Sequence, residues 1–327
     1  MKIRLKNNIE FNCQGDKTIF DSAVLSGITL NHSCLEARCR TCLARVIKGK
    51  TISIKEDLVL TNQEREDGYI LTCNTLALTN LELDIEEIDF LNFIPRTTIP
   101  VKIDYIEYFS KNIAKLVLRA PPNSKFKFVP GQYVKIIKGN VKRSYSISNA
   151  PRKDNKFEFY IKNYSGGYMS DYFFKNAIIN DLLRIEGPIG SFYFKPTNKK
   201  ILLFIATGTG IGPIKAILDQ LEENPEQVKN KSVYLVWGVR DIEDIFCLPN
   251  YNKIELTYIS TVSADNLGWN GEKSYVQQVV LNQNIDLNDA VVYACGSMKM
   301  INSASKLFFE NGLSVKDFFS DAFIESD

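Results

Sequence analysis

The stretch Ser33–Cys42 reads S-C-L-E-A-R-C-R-T-C and places Cys34, Cys39 and Cys42 within nine residues. A fourth cysteine, Cys73, lies 31 positions after Cys42. The spacing C-x4-C-x2-C with a distant fourth cysteine is that of a [2Fe–2S] cluster. Each tetrahedral iron shares two bridging sulfides and takes two more soft ligands, so four thiolates complete the pair of irons. A compact loop can supply three of them and a distant strand or turn the last. The competing reading is structural zinc, which usually takes its ligands in close pairs around a longer spacer. A disulfide framework is weaker still, because nothing else marks the chain as secreted.

Working outward, the chain has 327 residues, enough for two or three domains. Hydrophobic residues make up 45% and charged residues 24%, which suits a soluble globular protein with real cores. A formal charge of +2 implies no nucleic-acid or membrane partner. The N-terminus, M-K-I-R-L-K-N-N, lacks the continuous apolar core of a signal peptide, and the apolar run Ile201–Ala206 is far too short to cross a bilayer. Seven cysteines without a secretory signal point to a reducing compartment, the cytoplasm; Cys13, Cys247 and Cys295 stand outside the cluster set.

Residues 1–90 alternate short strands with one helix. Ile3–Leu5 and Ile9–Phe11 flank Asn7-Asn8 as a hairpin. Thr18–Ser26 puts Ile19, Ala23 and Ser26 on one helical face, with Gly27 as the stop. Strands are predicted over Leu43–Ile47, Tyr69–Cys73 and Leu81–Ile85, and a short helix near Asn62–Glu66. A β-grasp domain with the cysteine loop at one end has this order. The acidic run Glu82, Asp84, Glu86, Glu87 and Asp89 reads as a solvated face rather than a docking surface. Residues 91–98, with Pro95, form a linker.

Residues 99–197 are strand-rich. Val101–Ile106, Ala114–Leu118, Gln132–Ile137, Arg143–Ser148, Phe157–Lys162 and Leu183–Glu186 predict a small antiparallel barrel, interrupted by a helix over Tyr168–Lys175. From residue 198 to 327, strands at Ile201–Ala206, Val233–Val236, Leu256–Ser260 and Val291–Ala294 alternate with helices at Gly212–Glu222, Val276–Asn282 and Met298–Glu310. That order predicts a parallel, doubly wound α/β sheet.

Three constellations carry chemistry beyond the cysteines. Arg143-Ser144-Tyr145-Ser146 offers a fixed positive charge for a diphosphate, an aromatic ring to lie against a flavin, and a hydroxyl for a ring nitrogen. The tetrapeptide alone arises often by chance. Gly166 and Gly167, before a helix start that includes Ser170, let backbone N–H groups approach a phosphate; they read equally as a plain tight turn. In the last domain, A-T-G-T-G-I-G-P (206–213) joins a strand to a helix, with Gly208, Thr209 and Gly210 suited to close approach by a pyrophosphate and Pro213 at a first helical position. It is not the G-x-G-x-x-G fingerprint. Cys295-Gly296 ends a strand of the same sheet, where ligands of open α/β sheets bind, although a buried small cysteine is the ordinary alternative. His32, the only histidine, reads as a loop residue beside the cysteines, and a Rieske centre, which needs two histidines, is closed off.

With these pieces in order, the chain resembles the ferredoxin–NAD(P)+ reductase superfamily, in particular reductases in which a plant-type ferredoxin domain precedes FAD and NAD domains. The shared text includes R-S-Y-S-I (143–147) with Asn149-Ala150-Pro151, L-R-I-E-G-P (183–188), V-Y-A-C-G-S (292–297) and F-F-S-D-A-F (318–323). The resemblance spans the whole chain. It implies that Arg143, Tyr145 and Ser146 bind FAD, with Ser146 near the flavin N5, and that Gly166, Gly167 and Ser170 hold its pyrophosphate. It implies that Gly208, Thr209, Gly210 and Pro213 line the nicotinamide nucleotide site, flanked by Cys295 and Gly296. Phe323 matches an aromatic that covers the flavin, with Asp321 in a nearby acidic position.

Two departures stand in the cysteine loop. Related loops read C-x-x-G-x-C-G-x-C or C-x-x-G-x-C-S-x-C, whereas this chain has Ala37 and Arg40 at the glycine and Gly/Ser positions. An alanine with positive φ is strained, and an arginine beside the sulfurs favours the reduced cluster. Relatives using NADPH often carry Ser-Arg where this chain reads Val262-Ser263-Ala264-Asp265, and an acid there repels a phosphate, so NADH is expected. The implied activity is transfer of electrons from NADH through FAD and a [2Fe–2S] cluster to a partner enzyme, a sugar dehydrase of dideoxysugar biosynthesis. The alternatives are the reductase of a Rieske dioxygenase or diiron monooxygenase and, in another class, a non-catalytic redox or nucleotide sensor.

Overall fold

Two asparagines and a run of alternating apolar residues start the first unit. Asn8 takes φ 64°, and the turn pairs β1 (Lys2–Leu5) antiparallel to β2 (Glu10–Asn12). The computed structural model describes residues 1–57, 59–88, 94–247, 249–264 and 269–323, which fall into two compact units that meet in sequence at Pro95 and Arg96. In the first, α1 (Ile19–Leu25) begins where the Thr18 hydroxyl oxygen accepts the Asp21 N–H at 2.9 Å and ends before Gly27, φ 74°. Its buried face is Ile19, Phe20, Ser22 and Ala23. Ser26, expected on that face, is exposed: it caps the helix, and its hydroxyl donates back to the Ser22 carbonyl at 3.0 Å.

Next come β3 (Leu43–Lys48), β4 (Thr51–Ser53), α2 (Asn62–Glu66), β5 (Tyr69–Leu71), β6 (Thr75–Ala77) and β7 (Leu81–Leu83). The sheet order is β2-β1-β7-β3-β5, with β1 and β7 parallel at its centre, and β4 and β6 form a separate ribbon. Alternation sends Ile3, Leu5, Leu81 and Leu83 inward against Phe11, Ile19 and Leu30. The ribbon was not foreseen, since three-residue strands carry almost no periodic signal. The strand expected through Cys73 stops at Leu71; Cys73 lies in a 3-10 turn, Thr72–Asn74. The acidic face is solvated as expected, with Lys6 to Asp84 at 3.1 Å and Arg4 to Glu82 at 4.0 Å, surface pairs of small worth. Asp89 lies outside the described residues.

In the second unit the linker expected over 91–98 is shorter, because Thr97 already pairs in β8 (Thr97–Tyr108); residues 91–93 lie outside the described set. The other barrel strands are β9 (Ile113–Arg119), β10 (Tyr133–Lys138), β11 (Val141–Ser146), β12 (Lys156–Lys162) and β13 (Leu182–Ile189). They form one antiparallel sheet in the order β11-β10-β13-β8-β9-β12 around a core that includes Val101, Leu116, Val134, Phe159 and Ile185. The edges β11 and β12 close the half-barrel without a ladder. Ser148 N–H donates to the Glu158 carbonyl at 2.8 Å, and Glu158 N–H donates to Asn149 Oδ1 at 2.7 Å. The helix expected over Tyr168–Lys175 is α3 (Tyr168–Asp171), which widens into a π turn, Tyr172–Asn176.

The remainder alternates β14 (Ile201–Thr207), α4 (Ile211–Glu223), β15 (Ser232–Val239), β16 (Leu256–Val262), α5 (Val276–Asn282), β17 (Ala290–Ser297), α6 (Met298–Glu310) and β18 (Phe318–Phe323). All five strands are parallel, ordered β16-β15-β14-β17-β18. The order reverses between β14 and β17, where an open α/β sheet leaves a crevice at its carboxyl edge. Pro213 is the third residue of α4, not the first; it stays within the first turn, whose N–H groups have no intrahelical partner. Among the described residues, no helix is long and apolar enough to cross a membrane.

Candidate functional site

The cysteine loop joins α1 to β3. Cys39 and Cys42 are buried; Cys34 and Cys73 are partly exposed. The Thr72 N–H donates to the Cys42 carbonyl at 3.0 Å, and the Thr72 hydroxyl reaches the same oxygen at 3.2 Å, tying the turn that carries Cys73 to the loop. The thiols meet two by two. Cys42 and Cys73 have their Sγ atoms 3.2 Å apart, and Cys34 pairs with Cys39. In each pair one sulfur is favoured as thiolate: hydrogen bonding from Cys34 lowers the pKa of Cys39, and from Cys42 that of Cys73. Backbone N–H groups of Glu36 and Arg38 point at Cys34 Sγ at 3.3 and 3.4 Å, and that of Cys34 at Cys39 Sγ at 3.4 Å. Among the described residues, no three Cys, His, Asp or Glu side chains converge as on a single ion. Two thiols for each of two irons is the arrangement a dinuclear cluster requires.

The loop backbone is strained at three non-glycine positions. Leu35, Ala37 and Arg40 take φ 57°, 59° and 62°, a region that costs a non-glycine residue about 1–3 kcal/mol. Arg40 does not present a lone charge. Its guanidinium donates to the Val59 carbonyl and to both carboxylate oxygens of Glu64, with Nη1 to Oε2 at 3.1 Å. That hydrogen bonding holds the Glu64 carboxyl down at about 2. His32 is a buried loop residue: Nδ1 is 2.8 Å from the Leu30 carbonyl, and the ring lies on Phe20 with centroids 4.9 Å apart.

The residues expected to bind the nucleotide gather at the carboxyl edge of the second unit's parallel sheet. Thr207 ends β14, and its Oγ1 accepts the Ser297 N–H from the end of β17 at 3.1 Å. Gly208, at φ 52°, turns its carbonyl to the Trp237 indole N–H at 2.9 Å. Gly210 rests on Cys295: a Cβ there would lie 2.4 Å from the Cys295 carbonyl oxygen. Gly296 has φ 141°, and its Cβ would lie 2.1 Å from Thr207 Oγ1. The two loops therefore pack backbone on backbone at the point where the strand order reverses. Thr209 is buried beside them. Cys295 is fully buried, and burial raises its pKa, so its thiol stays neutral; Asp321 faces it across the β17–β18 pairing. Phe323 pairs with Ser297 at the same edge.

The barrel reaches this crevice at the end of β11. A Cβ on Gly212 would lie 2.4 Å from Ser148 Oγ, so the start of α4 abuts the chain just beyond Ser146. Tyr145 sets its ring edge-on to Phe173, centroids 6.0 Å apart, which brings β11 beside the segment following Gly166 and Gly167. Arg143 is half-exposed and donates to the Lys142 carbonyl at 2.9 Å. Gly166, φ 77°, has open space on its Cβ side. Ser170 is buried, and its hydroxyl faces the carbonyls of Tyr164 and Gly167 at 2.8 and 2.9 Å, so this side chain braces the turn together with the Gly167 N–H, which donates to the Tyr164 carbonyl at 3.0 Å. Thr207, Trp237 and Ser148 were missed as site residues. Thr207 lies within the 206–213 motif and Ser148 just beyond Arg143–Ile147, but no local signal marks Trp237. Asp265 lies outside the described residues, although Ala264 N–H donates to the Arg240 carbonyl at 3.1 Å and brings the end of β16 beside that of β15. A separate opening of about 320 Å³ is lined by Arg152–Glu158 and Lys215–Asp219 ion pairs and by none of the predicted cofactor residues.

A dinuclear cysteine site, a flavin-type antiparallel barrel and a doubly wound nucleotide sheet define an iron–sulfur flavoprotein reductase. Comparison with known families agrees domain by domain. Residues 3–78 match the 2Fe-2S iron-sulfur cluster binding domain, 100–194 the oxidoreductase FAD-binding domain and 204–306 the oxidoreductase NAD-binding domain. Among relatives, the CDP-6-deoxy-L-threo-D-glycero-4-hexulose-3-dehydrase reductase of Yersinia pestis is 36% identical over 98% of this chain and 97% of its own. Terephthalate 1,2-dioxygenase reductase component 2 of Comamonas sp is 26% identical over 97% of this chain and 95% of its own. The ferredoxin reductase in carbazole 1,9a-dioxygenase shares the fold, with TM-score 0.69 and 23% identity over 99% of this chain and 98% of that one. The chain belongs to the ferredoxin–NAD(P)+ reductase superfamily, in the branch with an N-terminal plant-type [2Fe–2S] domain. It is an oxidoreductase of the electron-transfer class, with a [2Fe–2S] cluster, FAD and a nicotinamide dinucleotide as cofactors.

Proposed function

We propose that this reductase takes electrons from NADH and delivers them to a separate enzyme, the CDP-4-keto-6-deoxyglucose 3-dehydrase of dideoxysugar biosynthesis, as a CDP-6-deoxy-Δ3,4-glucoseen reductase. The observation that carries the reading is the meeting, in one crevice, of the end of β11 with the carboxyl ends of β14, β17 and β18, in a chain that also holds two cysteine pairs. When bound, NADH supplies a hydride, FAD accepts two electrons and gives them up singly, and the cluster carries one at a time.

The chain places and tunes these groups. Residues 1–90 carry the cluster, with Cys34, Cys39, Cys42 and Cys73 as its ligands. Residues 99–197 would carry FAD: Arg143 would neutralise its diphosphate, Tyr145 would lie against the ring, Ser146 would offer its hydroxyl to the flavin nitrogen, and Gly166, Gly167 and Ser170, at the turn into α3, would hold the pyrophosphate. Residues 198–327 bind NADH: Gly208, Thr209, Gly210 and Pro213 admit the nucleotide, while Cys295 and Gly296 flank the nicotinamide. Phe323 would cover the flavin and exclude water, with Asp321 two residues before it on the same strand. Burial keeps the Cys295 thiol neutral, which suits a group that packs against an uncharged ring. The seven cysteines, none of them in a disulfide, suit a reducing, cytoplasmic setting.

The dehydrase is favoured because the relative named for one matches 36% over nearly the whole chain, against 26% for the dioxygenase component. An oxygenase is the second reading. Anaerobic stopped-flow mixing with NADH tests the class: flavin absorbance falls first and cluster absorbance second, whereas a sensor binds NADH with no rapid bleaching. A higher kcat/KM with NADPH would overturn the NADH preference. Supplying the reduced protein with purified dehydrase or with a Rieske oxygenase then separates the partners.

A further inference from the structure

Helix α2 has five residues and buries none of them, so neither propensity nor a packed face explains it. Polar contacts hold it instead. Thr61 and Glu64 form a reciprocal capping box, in which Glu64 Oε2 accepts the Thr61 N–H at 2.8 Å. Arg65 grips Asp57 with two N–H groups at 2.8 and 3.1 Å, and that carboxylate is 2% exposed. The third hold comes from the cysteine loop. Arg40, between Cys39 and Cys42, reaches Val59 and both oxygens of Glu64, with the two side chains 31% and 26% exposed. The Glu64 carboxylate is thus fixed from two sides, and Arg40 is anchored at its far end.

We propose that Arg40 and Glu64 form a single positioning unit for the cluster: the ion pair clamps the loop in its left-handed turn at Arg40, and Glu64 cancels the charge that Arg40 would otherwise present to the sulfurs. The inference rests on the assignment of the four cysteines as cluster ligands. It replaces the expectation from sequence that Arg40 acts as a lone cation. A lone guanidinium beside the sulfurs favours the reduced, more negative cluster, whereas a bidentate pair is nearly neutral and its field falls off faster than that of a single charge. The potential is then set by the sum of the two charges, not by Arg40.

The test is a double-mutant cycle on the full-length holoprotein, read as the cluster midpoint potential by potentiometric titration with EPR detection. Glu64→Gln keeps the capping box, because glutamine serves at that helix position, and removes only the charge. It leaves Arg40 uncompensated, and the potential is expected to shift upward. Arg40→Gln leaves Glu64 uncompensated and shifts it downward. The double variant Arg40→Gln/Glu64→Gln returns to the wild-type value. An unshifted potential in E64Q, or a double variant as low as R40Q, overturns the proposal, since both are the behaviour of a lone arginine. If E64Q does not retain its cluster, R40Q and the double variant decide the question alone. A wild-type protein with no reduced [2Fe–2S] EPR signal would overturn the cluster assignment itself and this inference with it; a normal signal with unshifted potentials overturns the inference only.

Discussion

Ala37 shows how closely balanced a single position can be. Its left-handed φ of 59° costs about 1–3 kcal/mol relative to glycine, yet its buried methyl, packed with Cys42, Leu60 and Leu71, returns about 0.8 kcal/mol, and the stiffer unfolded chain about 0.4–1. Ala37→Gly is therefore expected within about 1 kcal/mol of wild type, while Ala37→Val, β-branched at positive φ and overpacked, is expected to cost about 2 kcal/mol or more. The temperature at which visible cluster absorbance is lost measures both; a valine variant as stable as wild type would contradict the left-handed assignment. Gly296 is less forgiving. A Cβ 2.1 Å from Thr207 Oγ1 must displace the Ser297 N–H bond that joins the two crevice loops. Gly296→Ala is expected to lower kcat/KM for NADH about tenfold or more, a loss of about 1.4 kcal/mol, with FAD content unchanged. Steady-state kinetics with ferricyanide as acceptor reads this directly.

At the scale of elements, α2 and the cysteine loop depend on each other through charge. Glu64 is held at about 2, below its ordinary 4.5. A carboxylate with a depressed folded pKa contributes its full stability above the unfolded value and loses it as pH falls through the folded one. The contribution of the Arg40–Glu64 pair is thus complete above pH 4.5 and fades toward pH 2. The gap in thermal midpoint between wild type and Glu64→Gln should narrow over that window; a constant gap would mean that the carboxylate charge contributes nothing. Elements with strong local signals were legible in the sequence. Asn62–Glu66, Val276–Asn282 and Met298–Glu310 are helices at the expected bounds, because caps and 3.6-residue periodicity are local. The ribbon β4–β6 and strand β18 were not, since three-residue strands and a strand after a helix that pairs only with β17 take their identity from a neighbour.

For the whole molecule, the separation into two units predicts separable half-reactions. Cys73→Ser removes one proposed cluster ligand, which lies on a turn of the first unit, whereas the crevice residues belong to the second. NADH should still bleach the flavin and support ferricyanide reduction at near wild-type rate, while reduction of the partner enzyme or of cytochrome c falls at least about a hundredfold, more than about 2.7 kcal/mol of lost transfer. Equal loss of both activities would mean that the cluster lies before the flavin in the electron path.

The sequence by itself determined the cofactors and the domain order. Cysteine spacing, glycines at strand ends and hydrophobic period are written within a few dozen residues, and each follows from the geometry of its own segment. Only the tertiary structure decided which groups meet. It set Gly210 on Cys295, Gly212 on Ser148 and Phe323 beside Ser297, contacts made by strand order and register, which no local pattern encodes. It also decided what Arg40 is. In the sequence Arg40 is a cation between two cysteines; in the fold Glu64, 24 residues further on, meets it and removes the charge, because a capped helix places that carboxylate within reach.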